Sequence, residues 1–417
     1  MTQPLQLLDS QGVLADAAQP RLSDAQALGG LRLMMLSRAA DQRAISLQRQ
    51  GRLGTVAPVI GQEAAVVGSA MALDPARDWI VPQYRELPAL LHHGYPLERF
   101  FLYLKGNAAG AAIPEGVRML PTQIALGVQI PHAAGLGWGL RLRGLDSVVA
   151  CYFGDGASSE GDFHEACNLA GLVKAPVIFF LSNNGWAIST PSRAQTAGAT
   201  FAERAPTYGF PGVIVDGNDL LAVHAITCEA VERARAGEGP TLIEARTYRI
   251  GPHTTADDPT RYVDPAELEA WKARDPIVRV QRYLASKGLW DESAAQEAER
   301  EIAAEVDRAV EAAEAFPPPV VDDLFAHAYA ELPPRLLAQR AAMSGEGGRA
   351  APAGGRGPLG EGGRAAPAGG RGPLGEGGHA APAGGRGPLG EGGRAAPAGG
   401  RGPLGEGGRA APAGGRG

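Results

Sequence analysis

Between residues 147 and 182 the hydrophobic pattern changes period twice. "SVVACYF" (147–153) is an unbroken β-prone run, the pattern of a strand covered on both faces. From about Glu160 to Val173, the apolar positions Phe163, Ala166, Ala170 and Val173 fall on one helical face, with Ser158 or Ser159 placed to cap it. After Lys174-Ala175-Pro176 a second β-prone run, "VIFFLS" (177–182), ends in "NNG". A strand, a helix and a strand joined so tightly predict a parallel pair with a right-handed crossover. Further strands are expected at 213–216 and 241–248, with the helix "LLAVHAITCEAVERARA" between them. Asp24 to about Gln50 reads as another helix. Residues 127–142 read as a buried one, because small residues concentrate at Ala133, Ala134, Gly135, Gly137 and Gly139 and suit tight packing against neighbouring backbone. The expected fold class is α/β, a mostly parallel sheet flanked by helices.

The periodic pattern stops at Gly345, where a 15-residue unit, "GEGGRAAPAGGRGPL", begins to repeat. One Leu per complete unit offers too little apolar surface to offset the entropy of ordering, so residues 345–417 are expected to be a disordered extension of a working domain spanning 1–344. The "GGRG" segments resemble RNA-binding arginine-glycine stretches, but they lack aromatic residues on which bases could stack. A non-catalytic phosphate- or RNA-binding protein acting through this tail is the remote alternative.

Bulk properties narrow the field further. The net charge of −6 gives no general reason to expect nucleic acid or an anionic membrane surface as partner. Three cysteines without metal-ligand spacing suit a reduced setting, and the cytoplasm is the expected location. The opening residues lack a basic region followed by an apolar core, and no apolar run is long enough to span a membrane.

The loops after the two strands carry the candidate chemistry. In a parallel βαβ unit both strands end on the same edge of the sheet, where open α/β sheets bind ligands. Asp155 follows the first strand and Asn183-Asn184 follow the second, so their oxygens can converge despite the sequence separation. A carboxylate with an amide oxygen, and no thiol or imidazole nearby, suits a hard cation such as Mg²⁺. Gly154, Gly156 and Ala157 leave backbone N–H groups open to a phosphate.

Gly-Asp-Gly followed by roughly thirty residues ending in Asn-Asn resembles the thiamine-diphosphate motif. "YFGDGASSEGDFHEA" (152–166), "NNGWAISTP" (183–191), "GEGPTLIEARTYRIGPHTTADDPTRY" (237–262) and "LASKGLWDE" (284–292) together resemble the alpha subunit of the decarboxylating first component of 2-oxo acid dehydrogenase complexes. The resemblance runs in order over about residues 5–340. It implies that Asp155, the Asn184 side chain and the Trp186 carbonyl ligate Mg²⁺, and that Gly156 and Ala157 donate N–H groups to the diphosphate. It also implies that Tyr84 and Arg85, in "PQYRE", contact the diphosphate, that Leu126 packs on the aminopyrimidine, and that His253 is the catalytic histidine. His92, His93, His132 and His164 gain no such support, and His164 is expected on an exposed helix face.

Two positions depart from branched-chain relatives. Ser182 stands where some have an arginine that contacts phosphate, which places more of the diphosphate's binding on Arg85. Val128 stands where those relatives have a threonine in a potassium loop, so no potassium site is expected. Thr254 and Thr255 occupy the loop that mitochondrial relatives regulate by phosphorylation, and no such regulation is inferred here. The resemblance places the glutamate that activates the cofactor on a separate beta subunit, in a heterotetramer of two alpha and two beta chains. It implies thiamine diphosphate and Mg²⁺ as cofactors and a lipoyl-bearing acyltransferase as acceptor. "DQRAISLQRQGRLG" and "GPHTTADDPTRY" favour pyruvate as substrate, with branched-chain 2-oxo acids such as 3-methyl-2-oxobutanoate as the alternative.

Overall fold

The computed structural model describes residues 3–16 and 18–344. The expectation for 345–417 lies outside the described residues. Seven strands occur in the described residues: β1 (Trp79–Val81), β2 (Val149–Gly154), β3 (Val177–Asn183), β4 (Trp186–Ala187), β5 (Thr190–Pro191), β6 (Gly212–Asp216) and β7 (Thr241–Arg246). Five form one parallel sheet in the order β1-β2-β3-β7-β6, while β4 and β5 pair as a small antiparallel hairpin.

The unbroken apolar runs become the two central strands. Their alternate residues divide between two cores, as a sheet covered on both faces requires. Tyr152, Ile178 and Phe180 pack on one face with Val66 and Val223 from the helices Glu63–Ala70 and Leu220–Arg235. Phe153, Phe179 and Leu181 pack on the other with Ile130 and Phe163 from the helices Gln129–Leu142 and Gly161–Leu172. Burying each such side chain stabilises the fold by about 1.5–3 kcal/mol.

The first long helix spans Asp24–Arg49. It starts at Ser23, whose hydroxyl accepts the Gln26 N–H while the Gln26 side chain bonds back to the Ser23 N–H. Two expectations need correction. Neither Ser158 nor Ser159 caps the Gly161–Leu172 helix: both lie in a 3₁₀ turn over Gly156–Ser159, and Glu160 occupies the N-cap without a side-chain bond. Ser158 Oγ instead donates to the Asp155 carbonyl at 2.6 Å, closing the turn on itself. The Gln129–Leu142 helix is buried on one side only. A Cβ on Gly137 would meet Val177 Cγ2 at 2.6 Å, whereas Gly135 and Gly139 face open space. Composition identified the helix but could not assign its small residues to a face.

Candidate active site

β2 and β3 run parallel with Phe153 opposite Leu181 and Gly154 opposite Ser182, so the loops after them leave the sheet side by side. Asp155 and Asn184 therefore emerge on the same edge. Both line a cavity of about 760 Å³, together with Arg85, Leu126, Trp186 and His253. Tyr84, Gly156 and Ala157 also line it, so all nine residues anticipated from sequence come to one place.

Asp155 is almost fully buried, and its Oδ2 accepts hydrogen bonds from Ser192 Oγ and Gln195 Nε2, each at 2.7 Å. Burial pushes its carboxyl up from the ordinary range, and those two donors pull it back. A bound cation would favour the ionised form in the same way. Asn184 is held in one amide orientation: Nδ2 donates to Gln62 Oε1 at 2.9 Å, and Oδ1 accepts the Trp186 N–H at 3.2 Å. Gly156 sits where a side chain does not fit, since an added Cβ would come within 2.8 Å of Ala187 Cβ.

Arg85 is buried and spans two loops. Nη1 donates to the Pro58 carbonyl at 2.6 Å, and Nη2 donates to the His253 carbonyl at 3.1 Å while lying 3.3 Å from His253 Nδ1. Because a guanidinium only donates, that contact makes Nδ1 the acceptor and leaves the proton of the neutral ring on Nε2. Burial, then the Arg85 and Arg249 charges, hold His253 down at about 4, so the ring is neutral around pH 7. Its loop is pinned by the Asp257 carboxylate, which accepts the His253 N–H at 2.7 Å and the Tyr262 hydroxyl at 2.5 Å. Tyr84 meets the His253 ring edge-on at 6.1 Å between centroids.

The donor set fits a magnesium diphosphate. Asp155 and Asn184 supply a carboxylate and an amide oxygen, hard ligands that suit Mg²⁺ and leave positions for phosphate oxygens. Among the described residues, no group of three His, Cys, Asp or Glu is placed to hold a metal ion by itself. Around the same cavity, Gln62 Nε2, Gln83 Nε2 and Ser182 Oγ are buried without a partner in the protein, as donors awaiting a polar ligand would be.

Sequence reasoning missed Gln62, Ser192 and Gln195. Gln62 reaches Asn184 across 122 positions of the chain, and the other two meet Asp155 across 37 and 40. No periodicity or spacing marks such polar loop residues. Of the histidines set aside, His164 is exposed as expected and accepts or donates at Tyr208 OH, whereas His93 is buried against the Asp78 carbonyl.

A parallel sheet whose carboxyl edge gathers an acid, an amide, an arginine and a neutral histidine around one cavity defines a cofactor-dependent enzyme of the kind the motifs suggested. The chain belongs to the dehydrogenase E1 component family, whose model matches residues 31–322. It is 46% identical over 337 residues to the alpha subunit of the pyruvate dehydrogenase E1 component of Staphylococcus epidermidis, covering 80% of this chain and 91% of that protein. The alpha subunit from Bacillus cereus is equally similar, 46% over the same coverage, and that from Staphylococcus aureus is 45% identical.

Proposed function

We propose that this chain is the alpha subunit of a pyruvate dehydrogenase first component, acting in the cytoplasm as part of an α₂β₂ assembly. The reaction is the oxidative decarboxylation of pyruvate with transfer of the acetyl fragment to a lipoyl group carried by an acyltransferase. The observation that carries the reading is the convergence of Asp155, Asn184, Arg85 and His253 on one cavity at the ends of β2 and β3.

Thiamine diphosphate, when bound, supplies an electron sink for the pair left behind as carbon dioxide departs. The residues of this chain serve its diphosphate end. Asp155, the Asn184 side chain and the Trp186 carbonyl would hold Mg²⁺. The backbone N–H groups of Gly156 and Ala157 would donate to phosphate oxygens, and Arg85 and Tyr84 would add a charge-assisted contact and a hydroxyl. Leu126 supplies an apolar surface for the aminopyrimidine. His253, neutral and protonated on Nε2, can donate a hydrogen bond near the reacting carbon or relay a proton there.

The half of the site that this chain leaves open supports the need for a beta subunit. Ile124, Leu126 and Ile188 line the cavity yet are 60%, 37% and 52% exposed, an apolar rim suited to cover by another chain. Pyruvate is preferred over branched-chain acids because the similar curated alpha subunits carry the pyruvate name. Thiamine diphosphate binding to the α/β assembly, followed by calorimetry, should require Mg²⁺ and disappear in Asp155→Ala. Equal binding by that variant would sink the assignment.

A further inference from the structure

The stretch 55–62 runs along the cavity and touches three of its functional elements. The Pro58 carbonyl accepts from Arg85 Nη1 at 2.6 Å. Gln62 Oε1 accepts from Asn184 Nδ2 at 2.9 Å. Val56 exchanges two bonds with Thr255, two positions beyond His253: the Thr255 N–H reaches the Val56 carbonyl at 2.9 Å, and the Val56 N–H reaches Thr255 Oγ1 at 3.2 Å. The arginine, the asparagine and the histidine loop thus hang on eight consecutive residues.

This stretch is itself held from behind. The Val59 N–H donates to the Asp41 carboxyl oxygen Oδ2, which projects from the Asp24–Arg49 helix. The Gly61 N–H donates to Glu63 Oε2 at 2.9 Å, and Glu63 Oε1 pairs with Arg38 at 2.6 Å. Thr247 Oγ1 closes the other side on the Gly61 carbonyl at 2.9 Å. Gly61 has a φ of +92°, and a Cβ there would lie 2.6 Å from the Tyr248 carbonyl, so this path admits no side chain. Asp41 is 2% exposed and does not line the cavity. Desolvating a carboxyl costs free energy, and burial pushes this one up to about 8. What the group contributes in that place is a fixed position for Val59.

We propose that residues 55–62 are a positioning strap for the diphosphate end of the cavity, and that Asp41, touching neither cavity nor cofactor, is the residue that sets it. Val59 adjoins Pro58, so loosening its anchor moves the carbonyl that aims Arg85. A misplacement of about 1 Å at a reacting or binding group can cost on the order of 100-fold. The inference rests on the reading of this cavity as a thiamine-diphosphate site.

The test uses the α/β assembly and compares wild type, Asp41→Ala and Asp41→Asn. Calorimetry gives the dissociation constants of thiamine diphosphate and thiamine monophosphate, and apo melting temperatures are taken alongside. Asp41→Ala should raise the diphosphate constant by about 10-fold, in the range for lost support of a binding group, and the monophosphate constant less. Asp41→Asn keeps an acceptor oxygen facing Val59 and should restore most of the preference for diphosphate. An unchanged preference in Asp41→Ala overturns the proposal, whatever its melting temperature. Should that variant not fold, Thr255→Val cuts the strap at its other end. It should show a smaller loss of the same preference, and an unchanged preference there is equally fatal. A wild-type assembly that binds no thiamine diphosphate would instead refute the functional reading on which the inference rests.

Discussion

Replacing Arg85 with lysine keeps the charge and removes the fork. The guanidinium bridges two loops, with Nη1 on the Pro58 carbonyl and Nη2 on the His253 carbonyl, at 2.6 and 3.1 Å. A single ammonium cannot keep both contacts and also address a phosphate in bidentate fashion. One to two charge-assisted hydrogen bonds are lost, each contributing about 1.5–3 kcal/mol. Taking about 2–4 kcal/mol in all, the dissociation constant of thiamine diphosphate should rise roughly 30- to 1,000-fold. Calorimetric titration of the α/β assembly at saturating Mg²⁺ measures it, and the apo melting temperature reports any general loss of structure. A lysine variant that binds within threefold of wild type would refute the reasoning, because Arg85 would then be a replaceable positive charge.

Three further outcomes follow from the same geometry. Gly156→Ala places a methyl 2.8 Å from Ala187 Cβ, so it should cost about 1–3 kcal/mol as an overpacked contact and weaken cofactor binding, both read by melting with and without cofactor. His253 is held at about 4 in the fold against about 6.5 in an unfolded chain, so only the unfolded state takes up its proton between those values. Its contribution is intact above about pH 6.5 and is lost as pH falls toward 4. Replacing His253 with glutamine should therefore flatten the acid side of the stability profile, and an unaltered slope in denaturant titrations at pH 7, 6 and 5 contradicts the assignment. Phe180→Ala empties a fully buried position of the central strand and should lower stability by about 3–5 kcal/mol in denaturant unfolding, with the sheet order unchanged.

The strands and the pair at their ends were legible because their signals are local. Continuous β-prone apolar runs bounded by Asp-Gly and Asn-Asn-Gly read as strands covered on both faces, and a short parallel crossover puts both ends on one edge. Tyr84, Arg85, Leu126, Trp186 and His253 were placed by resemblance, and they lie around the same cavity as Asp155 and Asn184. What the sequence hid is the scaffold behind them. Asp41 in the Asp24–Arg49 helix looks like any acid among charged neighbours, and it matters because Val59 meets it 18 residues later. Gln62, Ser192 and Gln195 are ordinary polar loop residues until the fold brings each to Asn184 or Asp155. The misplaced cap has a similar cause. A serine before a helical pattern favours capping, but the 3₁₀ turn that presents Asp155 takes Ser158 for itself.

The central claim is that this chain is half of an active site whose substrate is pyruvate. The most direct measurement mixes the purified chain with a beta subunit, thiamine diphosphate, Mg²⁺ and a lipoyl domain, and follows reductive acetylation of the domain from pyruvate and from 3-methyl-2-oxobutanoate. The account predicts negligible turnover by the chain alone, turnover on adding the beta subunit, and faster reaction with pyruvate. Full activity without a beta subunit, or faster reaction with the branched-chain acid, would contradict it.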